Sequence, residues 1–122
     1  MTPDELKEAL TAAGWRFGRK MFGLDHGEQC DWYAWMPQKM LPSHWPNCEC
    51  NDKPPTLTIT PNFFRINGHE GSSVDFEICG ELHGEWHKLQ IYNIKAADAM
   101  ANIPKALALL GSAWCAIAEA KE

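Results

Sequence analysis

The chain lacks most of the features that would declare an activity. It contains no Gly-rich phosphate loop, no H-E-x-x-H and no G-x-S-x-G, which removes the usual signatures of nucleotide binding, zinc proteolysis and ester hydrolysis. Basic residues are scarce: 11 Lys and Arg stand against 16 Asp and Glu, for a net charge of −5. A generic phosphate-backbone binder carries clustered Lys and Arg. The one basic knot here is Arg16, Arg19 and Lys20, so nucleic acid is not an expected partner. The start, Met-Thr-Pro-Asp-Glu, has neither a basic n-region nor an apolar h-region, and no secretory signal is expected. No apolar run approaches the roughly 20 residues of a membrane span. Five cysteines is an odd number, which excludes a complete internal disulfide framework. Reduced thiols in the cytoplasm follow.

What is present suits one small folded domain. The 122 residues, 45% hydrophobic and 22% charged, make a chain that supports a single core but not two. Six tryptophans are many for this length. Each offers a large apolar area and an indole N–H that needs a partner, so at least half are expected in the core and core margin and some at the surface or an interface.

Helices are expected at both ends. Thr2 caps, Pro3 suits the first helical position and Glu5 closes a capping box, with Leu6, Ala9, Leu10 and Ala13 on one face and Gly14 ending the helix. At the other end, residues 96–101 read as a short helical turn and Asn102 as the cap of the main helix. Leu107, Leu110, Trp114 and Ile117 form its apolar stripe.

Between them the period is two. Trp15, Phe17 and Met21 share a face in a first strand reaching about Phe22. Gly23 to Gly27 is a turn, and Cys30 to Met36 is a second, aromatic strand. Thr56 to Thr60 is a third, expected to break at Pro61 before Phe63, Phe64 and Ile66. Asn67-Gly68 is a turn signal. Residues 73–82 and 85–94 flank His83-Gly84, a two-residue hairpin turn. That turn sets Ile78 opposite Leu89, Phe76 opposite Ile91 and Val74 opposite Asn93 on an apolar face. It sets Cys79 opposite Lys88, Glu77 opposite Gln90, Asp75 opposite Tyr92 and Glu81 opposite Trp86 on a polar one. The expected fold is α+β: an antiparallel sheet of about five strands with the N-terminal and C-terminal helices packed on one face.

One segment obeys no period. Residues 37–55 hold five prolines in a loop longer than compact domains usually tolerate without a function. It also contains Trp45, Cys48 and Cys50. Two thiolates two residues apart can chelate a soft cation, and tetrahedral zinc would draw on Cys30 and on His44 or His26 for the rest. C-x-C is tighter than the usual structural-zinc spacing, so no cofactor is expected and zinc is the one to test for.

Catalysis finds little support. Cys79 and His87 are tempting as a nucleophile and base, yet the hairpin register sends them to opposite faces. Asp75, Glu77 and Glu81 share the outer sheet face with Trp86 and Tyr92. Carboxylates beside aromatic rings are also what a glycosidase uses, but nothing here desolvates one of them to raise its pKa. A solvated face, or a protein-binding face with aromatic anchors and one sign of charge, fits better. That candidate binding face is Asp75, Glu77, Glu81, Trp86 and Tyr92, extended by Trp45 from the long loop.

The run CECNDKPPTLTITP (Cys48 to Pro61), then SVDFEICGELHGEWHKLQIYNI (Ser73 to Ile94) and SAWCAI (Ser112 to Ile117), resembles a group of small uncharacterised bacteriophage and prophage proteins with a C-E-C-N segment before paired strands. The resemblance covers residues 48–117 and brings no assigned activity. It implies a phage accessory product that acts in the host cytoplasm by binding a host protein and inhibiting or redirecting it, CRISPR and other defence systems included. The competing expectation is a metal-stabilised adaptor or nucleic-acid-associated module built around Cys48 and Cys50. Metal analysis separates the two.

Overall fold

The computed structural model describes residues 1–20, 29–43, 45 and 55–120. The chain forms helix α1 (Pro3–Ala12), strands β1 (Arg16–Arg19), β2 (Trp32–Trp35), β3 (Thr58–Ile66), β4 (His69–Leu82) and β5 (Glu85–Lys95), and helix α2 (Ala99–Glu119). The strands make one antiparallel sheet in sequence order, β1-β2-β3-β4-β5. Both helices lie on one face, and the fold is α+β. The expected end of the first strand at Met21 and Phe22, and the turn at 23–27, lie outside the described residues.

α1 starts as its sequence demands. Thr2 accepts from the Glu5 backbone N–H while the Glu5 carboxylate accepts from the Thr2 N–H, a reciprocal capping box. The helix buries Leu6 and Leu10 completely, each contributing about 1.5–3 kcal/mol by the area it removes from water.

The two long hairpins are set by their turns. Asn67 and Gly68 have φ of 49° and 81°, and His83 and Gly84 have 55° and 79°. Positive φ at both central residues is the type I′ turn, whose twist matches that of the flanking strands. From His83-Gly84 the register runs as the alternation requires: Ile78 opposite Leu89, Phe76 opposite Ile91, Glu77 opposite Gln90, Glu81 opposite Trp86. Phe76 and Ile78 are fully buried, while Leu89 and Ile91 are half-buried because β5 is an edge strand.

Beyond Phe76 the expected register fails by one residue. Val74 faces Ile94 rather than Asn93, and Asp75 has no opposite residue at Tyr92. β5 carries the extra residue, with Asn93 at φ 58°. Ile91 and Ile94 are three residues apart, and only a bulge brings both to the core face.

The break expected at Pro61 does not occur either. β3 runs through it as one nine-residue strand. Alternation from the Asn67-Gly68 turn aims the position of the missing N–H away from β4, so the β3–β4 ladder loses nothing. The loss falls on β2, whose pairing with β3 stops at Ala34 and Ile59. There the Cys30 thiol donates to the Trp32 carbonyl at 3.5 Å, and the Lys20 ammonium donates to the carbonyl of Pro61.

α2 is longer than expected. A 3₁₀ turn (Ala96–Asp98) runs straight into it, so Asn102 is an interior residue whose amide donates to the Asp98 carbonyl rather than a cap. Ile103, Ala106, Leu110 and Trp114 face the core. The stretch Ala96–Glu119 is also long and apolar enough to cross a membrane by length and composition, with 28% of its most apolar part buried. Asp98, Lys105 and Glu119 divide it, and its longest run without a charged residue is Ala106 to Ala118, so the helix meets the criterion on length and mean composition and not as an unbroken apolar run.

Candidate functional site

The face of the sheet turned away from both helices is the candidate site. One cross-strand row spans all five strands: Arg16 opposite Trp35, Trp35 opposite Thr58, Thr58 opposite Glu77, Glu77 opposite Gln90. Asp75, Glu81, Trp86 and Tyr92 share this face, as the alternation predicts. Trp86 and Tyr92 are 65% and 61% exposed, far more than a side chain serving the core. They sit six residues apart on β5, about 20 Å at roughly 3.3 Å per residue.

The three acids do different work. Asp75 sits inside the bulge, where its Oδ1 accepts from the Asn93 backbone N–H at 2.9 Å and its Oδ2 from the Asn62 side-chain amide at 3.2 Å. Glu77 accepts from the Gln90 amide at 2.8 Å and pairs with Lys88 at 3.4 Å, while the Tyr92 hydroxyl donates to Gln90. Glu81 faces Trp86 across the β4–β5 pair. Asp75 and Glu77 thus order the face as well as charge it.

Sequence reading missed the opposite half of this face. Tyr33 and Trp35 on β2 point outward with ring centroids 5.7 Å apart. Phe64 lies over Gly71 so closely that a Cβ there would sit 1.9 Å from its ring, and Tyr33 covers Gly18 in the same way at 2.5 Å. The alternation in Trp32-Tyr33-Ala34-Trp35 held this signal: Trp32 and Ala34 are buried, and their neighbours must face out.

Trp45 does not extend this face. It is buried, its indole N–H donates to the Pro55 carbonyl, and its ring lies against α2 on the other side of the protein. A Cβ on Gly111 would come within 2.8 Å of that ring, which explains a glycine inside a helix where it costs about 1 kcal/mol relative to alanine. A loop tryptophan has no strand register to fix its side, so the sequence held no signal for this placement.

Cys79 and His87 are on opposite faces, opposite Lys88 and Gly80 respectively. His87 meets the edge of buried Trp114. Burial pushes the Cys79 thiol up, with the Glu77 carboxylate adding to the shift and Lys88 opposing it. Such a thiol stays protonated and is a poor nucleophile.

Of the residues considered for zinc, Cys48, Cys50 and His44 lie outside the described residues, as does His26. Cys30 is buried beside the Trp32 carbonyl. Among the described residues no group of three or more His, Cys, Asp and Glu is placed to hold a metal ion.

No family model, curated protein or solved structure matches this chain.

Proposed function

We propose that this is a non-enzymatic binding protein that captures a protein partner with a basic surface on the outer face of its sheet. The observation that carries this reading is the exposure of Trp86 and Tyr92 together on a hydrogen-bonded sheet face that neither helix covers. Large aromatic side chains on a rigid support lose little entropy on docking and supply most of an interface's affinity. Asp75, Glu77 and Glu81 outnumber Lys88 on that part of the face, and a basic partner is steered toward such a field. The resemblance to small phage and prophage proteins supports a reading in which the partner is a host protein, met in the host cytoplasm and inhibited or redirected by capture.

The test compares capture from host lysate by the wild type and by Trp86→Ala/Tyr92→Ala. Each true anchor is worth about 2 kcal/mol, near a thirtyfold loss of affinity on truncation. The double variant should lose the partner while melting within a few degrees of wild type.

A further inference from the structure

β5 is an edge strand, and among the described residues no strand pairs with the backbone on its outward side. The two-residue turn makes Leu82 and Glu85 the first hydrogen-bonded pair, and such pairs then alternate along the ladder. His87, Leu89 and Ile91 therefore aim their N–H and C=O groups at β4, whereas Trp86, Lys88 and Gln90 aim theirs away from the sheet. Among the described residues these outward groups have no backbone partner outside the sheet. Natural edges of this length are blunted by proline, by charged side chains, lysine above all, or by a bulge. β5 has eleven residues and no proline, and its bulge lies beyond Ile91. Its central Lys88 leans toward Glu77.

Apolar surface flanks this edge on both sides. Trp86 and Tyr92 stand on the outer face. On the inner face a cavity of about 200 Å³ opens between β5 and α2, lined by Ile91, Ile94, Ala106 and Leu109, and Leu109 is 53% exposed.

We propose that β5 pairs antiparallel with β5 of a second copy of this chain, across a two-fold axis at Leu89, joining the two sheets into one. Outward-facing groups must meet outward-facing groups, so Trp86, Lys88 and Gln90 pair among themselves, and the same alternation carried one step past Ile91 adds Tyr92. An axis at Lys88 sets two ammonium groups directly opposite, which is unfavourable. An axis at Gln90 sets Trp86 against Ile94, past the bulge, where the side chain has changed face. An axis at Leu89 sets Lys88 against the partner's Gln90 and Trp86 against the partner's Tyr92, with Leu89 meeting its own copy on the inner side. The exposed Leu109 then lies beside the seam. This pairing uses backbone groups of β5 and goes beyond the proposed capture of a host protein by outer side chains.

The test is light scattering across a concentration series together with amide hydrogen exchange on the wild-type protein. The expected result is a dimer in which the Trp86, Lys88 and Gln90 amides are protected, with that protection lost on dilution to monomer. Lys88→Pro removes an outward N–H and the surface ion pair to Glu77, a kind of pair that adds little stability, and should give a folded monomer. A monomer at every concentration overturns the proposal, as does a dimer whose three amides exchange as fast as an open edge. Protection that arises only in complex with a captured partner also overturns it, in favour of strand addition by that partner.

Discussion

Replacing Asp75 by alanine separates a structural role for this acid from a merely solvated one. Asp75 holds the bulge in β5 through the Asn93 N–H and holds β3 through Asn62. Both bonds end on the same carboxylate, and a hydrogen bond to a charged acceptor contributes about 1.5–3 kcal/mol. Asp75 is half-buried, so water replaces part of what is lost, and the lower-end sum of about 3 kcal/mol falls to a net loss of about 2 kcal/mol. For a domain of this size each kcal/mol moves the melting temperature by roughly 3–6 °C, so Asp75→Ala should melt about 6–12 °C below wild type. Asp75→Asn keeps an acceptor for Asn93 and should lose about half as much. Urea unfolding followed by circular dichroism gives the free energies directly. A loss within about 0.5 kcal/mol, the range of an ordinary surface substitution, would refute the assignment and leave Asp75 as one more solvated acid.

Three further expectations can be checked on the same material. Gly71→Ala places a Cβ where the Phe64 ring lies and should destabilise by about 1–3 kcal/mol; Phe64→Ala in the same chain should recover part of that loss, and additive losses would contradict the contact. Cys79 should alkylate more slowly than a free thiol at pH 8, because its pKa is raised; a faster rate would show that Lys88 outweighs burial and Glu77. Protein purified without added metal should contain less than about one zinc per two chains and melt unchanged in chelator. Stoichiometric zinc released by Cys48→Ser would instead restore the metal-stabilised reading.

Much of the fold was legible because alternation and turn chemistry pointed the same way. His83-Gly84 between two alternating arms fixed the face of every residue from Phe76 to Ile91, and the capping box fixed the start of α1. What stayed hidden depended on non-local compensation. A bulge is one residue of mismatch, and Asn93 carries no local sign that an aspartate on the neighbouring strand will hold its N–H. Pro61 reads as a breaker, and only the sheet order shows that its missing donor faces the place where β2 ends. Asn102 reads as a cap because it precedes Ile-Pro, yet the 3₁₀ turn before it lets the helix begin earlier. In the candidate site, Trp86, Tyr92 and the acids followed from register. Tyr33 and Trp35 needed only the same alternation applied to β2. Trp45 could be placed only by seeing Gly111 beneath it.

The most direct test of the binding face is quantitative capture of one partner by four chains: wild type, Trp86→Ala, Tyr92→Ala and Ser112→Glu. Ser112 is exposed on α2, on the helical side of the protein, and serves as the control. Affinity should fall by about thirtyfold for an aromatic variant that removes a true anchor, with the melting temperature held and Ser112→Glu unchanged. Wild-type capture by both aromatic variants, or loss confined to Ser112→Glu, would contradict the account and move the binding surface to the helical side.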